Sequence, residues 1–389
     1  MTTFKDLGLS AKIIKALEGH QYKEPSSVQK KAIPEILAGH DVAACAQTGT
    51  GKTAAFSLPL IEKIAAKLEK VGTKDGAKRK TTVLILSPTR ELACQIQENI
   101  HIYCKYVPVR SAVVYGGTAK EHQIRSLNTG VHILVATPGR LLDLVKRDKA
   151  IDLRSIETLV LDEADRMLDM GFIKDIKEII RCIPNESRQT LLFSATFSPQ
   201  VRSLSRKFLN RAKILQVRSD TAPLKSIKQT VYSVPKSQRR RLLSHLIAEQ
   251  KMEQILVFVR TKHGAERLVK LLEKDGHRAL AMYGDKSQSA RLSALAAFKK
   301  KEVSILVATD VVARGIDIES LPFVINYDLP QDPEHYVHRI GRTGRAGSVG
   351  EAISFYGEGD MVGLRAIEIM LRMRFERKVV PGFEEEPKK

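Results

Sequence analysis

The stretch ETLVLDEADRML, residues 157–168, contains an apolar run followed at once by three acids within four residues. Thr158–Leu161 has the length and composition of a buried strand, while Ala164, Met167 and Leu168 recur at helical spacing. Two interpretations are open at this point. Acids in the first turn of a helix are favoured by its positive end and need no function. Acids at the carboxyl end of a strand also hold magnesium and orient water in nucleotide-dependent enzymes.

The rest of the chain alternates short apolar runs with helical stretches, a pattern typical of parallel α/β sheets covered on both faces. The pentapeptide ILVAT occurs at residues 133–137 and again at 305–309, and a basic loop follows each copy. This repetition predicts a duplicated architecture. Polar, proline-containing residues 218–226 are predicted to form a short linker. We therefore expect domains at residues 1–217 and 227–389.

The composition of the chain limits the classes of binding partner and the cellular compartments that are expected. Of 389 residues, 43% are hydrophobic, which is enough for two ordinary cores. The net charge of +20 favours a polyanion partner, most simply nucleic acid, over a protein that is merely basic. The four cysteines form no C-x-x-C pair, which argues against a zinc site and for a reducing compartment. There is no apolar signal core and no run of about eighteen apolar residues, so we expect a cytoplasmic protein without a membrane contact.

Residues 43–53, AACAQTGTGKT, supply the phosphate-binding partner that the acids need. Glycines between a strand and a helix let backbone N–H groups approach phosphate oxygens, and the helix amino terminus adds positive potential. Lys52 is expected to reach the β- and γ-phosphates, and the Thr53 hydroxyl to bind Mg²⁺. The alternative is a plain glycine-rich turn. With this loop present, Asp162 is predicted to hold Mg²⁺ directly or through water, and Glu163 to orient and deprotonate the attacking water.

The motifs of the chain, taken in order, resemble those of the DEAD-box RNA helicases, most closely the bacterial RhlE-like group. They are AQTGTGKT (46–53), PTREL (88–92), GG (116–117), TPGR (137–140), DEAD (162–165), SAT (194–196), VFVRT (257–261), ATDVVARGID (308–317) and HRIGRTGR (338–345). The resemblance covers nearly the whole chain. It implies an α/β fold of two tandem RecA-like parallel-sheet domains joined by a short linker. It also implies an ATP-dependent RNA helicase that binds RNA across both domains, hydrolyses ATP with Mg²⁺ and locally unwinds short duplexes.

The resemblance assigns site residues as well. The ATP-binding set is Phe4, Pro25, Gln29, Gln47, Thr48, Gly49, Thr50, Gly51, Lys52, Thr53 and Asp317. The catalytic set is Lys52, Asp162, Glu163, Arg342 and Arg345, with both arginines expected at the γ-phosphate. The residues expected to couple the domains are Asp165, Ser194, Thr196, His338 and Arg339. The RNA set, expected to follow strand geometry rather than base identity, is Thr89, Arg90, Gly117, Thr137, Gly139, Arg140, Arg260, Gly284, Gln288, Arg291, Thr309 and Arg314.

The adenine-recognition segment departs from the family pattern, because Gln21 replaces a usual glycine and residues 26–28 read SSV instead of Thr-Pro-Ile. Gln29 is still expected to pair with adenine N6 and N7. Phe4 is expected to stack on the base, the alternative being an exposed, loosely held side chain. Two other functions stay open, an RNA clamp that uses ATP only as a switch and a DNA-directed translocase. RhlE-like proteins often continue into a basic tail, so residue 389 need not be a native end.

Overall fold

The structure, a computed structural model, describes residues 2–20, 22, 24–46, 49–71, 79–217, 227–310, 321–344 and 350–384. The chain forms two compact units, Met1–Ser219 and Asp220–Lys389. Each unit contains one seven-stranded sheet whose strand pairs are all parallel, which confirms the predicted α/β class. The predicted linker, 218–226, lies outside the described residues. Within the described ranges, no helix has the length and apolar character needed to cross a membrane.

The first unit alternates strands and helices along the chain. Its strands are β1 (Val42–Cys45), β2 (Val83–Leu86), β3 (Ser111–Val114), β4 (Ile133–Ala136), β5 (Thr158–Leu161), β6 (Gln189–Ser194) and β7 (Lys213–Gln216). Its α-helices are α1 (Ala11–Glu18), α2 (Ser27–Leu37), α3 (Lys52–Val71), α4 (Arg90–Tyr103), α5 (Lys120–Asn128), α6 (Pro138–Leu142), α7 (Ala164–Asp169), α8 (Ile173–Arg181) and α9 (Pro199–Phe208). A π-helical turn, Asp143–Arg147, follows α6 directly.

The second unit repeats this alternation. Its strands are β8 (Ile227–Ser233), β9 (Ile255–Phe258), β10 (Ala279–Met282), β11 (Ile305–Ala308), β12 (Phe323–Asn326), β13 (Gly350–Tyr356) and β14 (Glu376–Lys378). Its described α-helices are α10 (Arg239–Glu249), α11 (Lys262–Lys274), α12 (Gln288–Lys299), α13 (Pro333–Ile340) and α14 (Met361–Leu371). A short 3₁₀ turn, Glu358–Asp360, leads into α14.

The two sheets share one topology. The first has the order β3-β4-β2-β5-β6-β1-β7, and the second has the order β10-β11-β9-β12-β13-β8-β14. Adding seven to each strand number converts one order into the other. The twin ILVA segments are β4 and β11, and they occupy the same place in the two sheets. The duplication that the repeated pentapeptide predicts therefore extends to the whole strand order.

Apolar side chains cover both faces of each sheet, as the unbroken apolar runs predict. In β2, Ile85 packs with Ile96 of α4, whereas Leu84 packs into a second cluster with Leu141 and Ile176. All five side chains are fully buried. Burying one such side chain contributes about 1.5–3 kcal/mol. The strands are therefore held firmly between two helical layers, and the loops that follow them lie along one edge of each sheet.

Candidate functional site

The strand order divides the carboxyl edge of the first sheet into two parts. The strands β5, β6 and β1 are neighbours, and the predicted ATP residues follow them in the chain. The strands β3, β4 and β2 are also neighbours, and the predicted RNA residues follow them. Ligands of open parallel sheets bind outside the carboxyl ends of the strands. The fold therefore gathers each predicted set along its own half of one edge.

The phosphate loop joins β1 to α3, and α3 begins at Lys52. Gly49 and Gly51 have φ angles of 79° and 85°, a conformation that glycine adopts without strain. Lys52 is 7% exposed, and its Nζ has no hydrogen-bond partner in the described part of the chain. A buried ammonium without a partner is costly, and a phosphate group would satisfy it. The residues present therefore fit a nucleotide phosphate; Gln47 and Thr48 lie outside the described residues.

The adenine-recognition segment braces this loop. The Ser26 hydroxyl donates to the Thr50 carbonyl at 2.7 Å, and Gln29 Nε2 donates to the Gly51 carbonyl at 3.1 Å. Gln29 Oε1 accepts from the Ser26 backbone N–H at 2.9 Å. Any Cβ at Gly51 would lie 2.3 Å from Gln29 Nε2, so only glycine allows this contact. Sequence reasoning did not predict the brace.

The bracing contacts bear on the two predicted adenine contacts. Each amide atom of Gln29 keeps one further hydrogen-bonding position, so pairing with adenine stays a prediction. Phe4 is 5% exposed and packs in the core of the first unit with Leu7 and Ile13. The alternative of an exposed, loosely held Phe4 is therefore wrong. Pro25, also assigned to this segment, is buried.

Asp162 follows β5 and is 2% exposed. Burial raises the pKa of its carboxyl to about 7, although the positive charge of Lys52 and the Glu163 backbone N–H act in the opposite direction. A cation bound beside this buried carboxyl would pair with it. No group of three or more metal-ligating side chains occurs among the described residues. A Mg²⁺ ion at Asp162 and Thr53 would therefore take phosphate oxygens and water as its other ligands, which is how this ion usually binds.

Glu163 is held in a left-handed backbone conformation, with φ 49° and ψ 53°. Such a conformation costs about 1–3 kcal/mol in a residue with a side chain and often marks a functional site. Its carboxylate pairs with Arg166 Nη1 at 3.0 Å, and both side chains are largely shielded from water. Burial lowers the pKa of Arg166, while the charges of Glu163 and Glu91 raise it. Arg166 thus orients the predicted base, and sequence reasoning missed it although its spacing of three residues on a helix was visible.

Asp165 joins the acid motif to the segment after β6. Its Oδ2 accepts from the backbone N–H groups of Ala195 at 3.1 Å and Thr196 at 2.9 Å, and from the Thr196 hydroxyl at 3.2 Å. The Asp165 backbone N–H donates to the Ser194 hydroxyl at 3.3 Å. The structure therefore brings together the three coupling residues that were assigned to the first domain.

The RNA residues of the first unit lie in three neighbouring loops. Thr89 caps α4 by accepting from the Leu92 backbone N–H at 3.4 Å. The Arg90 guanidinium lies against Gly117, where any Cβ would stand 2.1 Å from Nη1. Gly139 is exposed with open space around it. These small or backbone groups leave room for a sugar-phosphate chain.

Two side chains, Gln123 and Arg140, hold the loop after β3 by hydrogen bonds. Gln123 Nε2 donates to the Tyr115 carbonyl at 3.0 Å and to the Thr118 hydroxyl at 2.8 Å, and its Oε1 accepts from the Tyr115 backbone N–H at 3.2 Å. Arg140 Nη2 donates to the Thr118 carbonyl at 2.9 Å. Thr137, the residue before α6, is 8% exposed. Gln123 was not predicted, because nothing in its local sequence distinguishes it from a surface glutamine.

In the second unit, the RNA residues again follow three neighbouring strands. Arg260 follows β9, Gly284 follows β10 and Thr309 follows β11. Gln288, the first residue of α12, is 5% exposed, and within the described ranges neither amide atom has a hydrogen-bond partner. Arg291 is 6% exposed on the same helix. Arg314 lies outside the described residues.

Arg339 on α13 is braced inside the second unit. It is 1% exposed, and its Nε and Nη2 donate to the two carboxylate oxygens of Asp310 at 2.6 and 2.7 Å. Its Nη1 donates to Asn326 Oδ1 at 3.0 Å and to the Asp328 carbonyl at 2.6 Å. These contacts give Arg339 a structural role that the resemblance did not assign.

Two of the remaining predicted residues of this motif, His338 and Arg342, lie within the described part of the chain. The rings of His338 and His335 stack with centroids 6.5 Å apart. Arg342 is 4% exposed and follows the last turn of α13. Arg345 and Asp317 lie outside the described residues. Their assignment to the γ-phosphate and to the ribose stays a prediction.

Known proteins match both units. The DEAD/DEAH box helicase family profile matches residues 26–204, and the helicase conserved C-terminal domain profile matches residues 238–347. The DEAD-box ATP-dependent RNA helicase CshA of Geobacillus kaustophilus is 42% identical over 385 residues, which are 99% of this chain and 80% of the relative. The ATP-dependent RNA helicase CshA of Listeria monocytogenes is 43% identical over 99% of this chain and 72% of the relative.

Solved structures match across the same length. S. cerevisiae Dbp5 bound to RNA and ADP BeF3 superposes with a TM-score of 0.85 at 32% identity, covering 97% of this chain and 96% of that one. Mss116p bound to ssRNA and AMP-PNP gives a TM-score of 0.86 at 29% identity, covering 100% and 80%. These likenesses confirm the expected pair of RecA-like domains. The chain therefore belongs to the DEAD-box family of ATP-dependent RNA helicases.

Proposed function

We propose that this protein is an RNA-stimulated ATPase that separates short RNA duplexes. The observation that carries the proposal is the division of one sheet edge, where the loop after β1 holds the phosphate residues, the loop after β5 the acids and the loop after β6 the coupling residue Thr196. The loops after β2, β3 and β4 hold the candidate RNA contacts beside them. The relatives named as ATP-dependent RNA helicases, and the Dbp5 and Mss116p structures with RNA and nucleotide analogues, support the same activity.

The chemistry is transfer of the γ-phosphoryl group of ATP to water. Lys52 binds the β- and γ-phosphates. Glu163 accepts a proton from the water whose oxygen attacks the γ-phosphorus, while the bond to the bridging oxygen breaks and ADP leaves. Asp162 and Thr53 would hold Mg²⁺, which would supply positive charge that offsets the charge on the phosphates.

The second unit contributes to the same reaction in this proposal. Arg342 and Arg345 are proposed to stabilise the charge that develops on the γ-phosphate, an effect of about a thousandfold or more in related enzymes. The interdomain roles of Asp165, Ser194, Thr196, His338 and Arg339 are proposals as well. Contacts within each unit support these roles for four of the five residues, since Asp165 bonds to Ser194 and Thr196, and Arg339 bonds to Asp310 beside the predicted RNA residue Thr309.

Four finer assignments belong to the proposal. We propose domains at 1–217 and 227–389, and the division into compact units between Ser219 and Asp220 falls within the proposed linker, 218–226. We propose the RhlE-like subgroup on the motif resemblance, although the relatives reported above are named CshA. Mg²⁺ as cofactor rests on the donor set at Asp162. A cytoplasmic location is supported by four free cysteines.

The decisive experiment measures ATP hydrolysis by the full chain with no nucleic acid, with single-stranded RNA, and with DNA of the same sequence. We expect RNA, but not DNA, to stimulate ATP hydrolysis. A parallel assay follows displacement of a labelled strand from a short RNA duplex. Stimulation without displacement would indicate a clamp, equal stimulation by DNA would indicate a DNA-directed translocase, and no ATP hydrolysis would refute the proposal.

A further inference from the structure

A buried ion cluster lies at the carboxyl edge of the second sheet. Arg239, the first residue of α10, is 1% exposed. Its Nη1 donates to the Tyr327 carbonyl and to Asp328 Oδ1, both at 3.0 Å, and its Nη2 donates to Asp360 Oδ2. A guanidinium is tolerated at such depth only when charges and hydrogen bonds compensate it. The two carboxylates therefore hold Arg239 in one position.

The cluster extends to Arg260, one of the predicted RNA contacts. The Arg260 backbone N–H donates to Asp328 Oδ2 at 2.9 Å, and its Nη2 lies 3.9 Å from Asp360 Oδ1. The Arg260 side chain is 45% exposed, whereas that of Asp360 is 7% exposed. The Arg260 backbone is thus held by Asp328, and its guanidinium lies near Asp360, while part of the guanidinium stays exposed to solvent.

The four members follow four neighbouring strands. Arg260 follows β9, Asp328 follows β12, Asp360 follows β13 and Arg239 follows β8, and these strands are consecutive in the sheet. Two positive and two negative charges make the cluster formally neutral. Asp360 pairs closely with Arg239, whereas its contact with Arg260 is long, so the exposed Arg260 guanidinium can donate to a phosphate oxygen without losing a short ion pair.

We propose that Asp360, held by Arg239, is a positioning residue that orients the Arg260 guanidinium for contact with an RNA phosphate. A side chain ordered in advance loses less conformational freedom on binding, so RNA binds more tightly for the same contact. This inference rests on the proposed function, because it requires that RNA binds this edge of the second unit. It adds a residue that does not touch RNA and acts only through Arg260.

The test uses Asp360→Asn, which keeps the side-chain shape but removes the charge. Asp328 is less suitable, because its carboxylate also accepts from the Arg260 backbone N–H. The measurement is the concentration of a single-stranded RNA oligonucleotide that gives half-maximal ATPase stimulation, at fixed salt. We expect this value to rise about tenfold, within the range of couplings between contacting residues. The KM for ATP should change by less than about twofold, since ATP binding does not use this contact.

A double-mutant cycle distinguishes positioning from general damage. Arg260→Ala alone should weaken RNA binding, and adding Asp360→Asn to it should weaken binding no further. The matched control is Asp275→Asn, which removes the partner of Arg240, the next residue of α10, whose Nη1 lies 2.5 and 2.6 Å from the two carboxylate oxygens. This control should leave the RNA requirement unchanged, because within the described residues the Asp275 carboxylate pairs with Arg240 and accepts from the Ser244 hydroxyl, both on α10.

Each result then decides one question. Independent, multiplying effects of Asp360→Asn and Arg260→Ala would overturn the inference, as would a folded Asp360→Asn protein with an unchanged RNA requirement. If Asp360→Asn does not fold, the test uses Arg260→Lys instead, which changes the exposed end of the cluster. If Arg260→Lys binds RNA as wild type does, the orientation of the guanidinium is irrelevant. Wild-type protein that neither binds RNA nor responds to it would instead refute the proposed function.

Discussion

Arg166→Met should separate the orientation of the Glu163 carboxylate, the proposed catalytic base, from nucleotide binding. Arg166 pairs with Glu163 at 3.0 Å, and the two side chains are 5% and 12% exposed. Breaking a buried ion pair by removing one partner costs about 3–5 kcal/mol, because the remaining charge has lost its compensation. Glu163 retains some contact with water, so we expect destabilisation of about 3 kcal/mol, at the lower end of that range.

The same substitution should reduce the chemical step. A positioned general base contributes roughly a hundredfold to ten-thousandfold, and a carboxylate free to leave its position loses part of that. We therefore expect kcat to fall about tenfold to a hundredfold. The KM for ATP should stay within about threefold, because Lys52 and the phosphate loop are intact.

The assay combines steady-state ATP hydrolysis at saturating RNA with denaturant unfolding of each variant. The control is Arg147→Met, which breaks an exposed pair with Asp143 at 3.3 Å, where the side chains are 80% and 42% exposed. Such a pair contributes about 0.3–0.5 kcal/mol, so stability and turnover should barely change. A folded Arg166→Met protein with wild-type kcat would refute the claim that this ion pair orients Glu163.

Four further predictions test the ATP site. Lys52→Ala should abolish ATP hydrolysis, since the phosphates lose a buried cation; near-normal turnover would remove Lys52 from the site. Glu163→Gln should bind ATP and RNA but stall before hydrolysis, which filter binding and turnover assays can separate; loss of ATP binding would point to a metal or structural role. Arg342→Ala should leave ATP affinity within a few-fold but lower kcat by roughly a thousandfold; unchanged RNA-stimulated turnover would exclude Arg342 from catalysis. GTP should be a poor substrate, because Gln29 matches the donor and acceptor pattern of adenine; equal turnover of ATP and GTP would show that the altered adenine segment does not read the base.

The predicted fold was accessible from sequence because its strands are buried on both faces. Runs such as residues 83–86 and 305–308 are wholly apolar, and this pattern is typical of parallel strands covered by helices. The strand order could not be read from the pattern, since every such run looks alike. The structure supplies it, and the order is the same in both sheets.

For the site residues as well, local sequence predicted some features, whereas others appear only in the folded chain. Lys52 and Asp162 stand directly beside a strand or helix boundary, so their local sequence predicted them. Arg239 and Asp360 are 121 residues apart, and Gln29 and Gly51 are 22 apart, so only the folded chain shows that they touch. The contacts by which one residue orients another across such distances were therefore missed.

Duplication explains why one unit carries the phosphate site and the other does not. Lys52 is the first residue of α3 after β1, and Arg239 is the first residue of α10 after β8, the equivalent strand. Asp162 follows β5, and Asp328 lies just after β12, again the equivalent strand. Each sheet thus places a cation near an aspartate at the same part of its edge. In the first unit the Lys52 ammonium has no hydrogen-bond partner among the described residues, whereas both terminal nitrogens of Arg239 donate to carboxylate or carbonyl oxygens. The edge proposed to bind nucleotide in the first unit therefore corresponds, in the second unit, to an edge occupied by an internal ion cluster, the cluster that we propose serves the RNA contact.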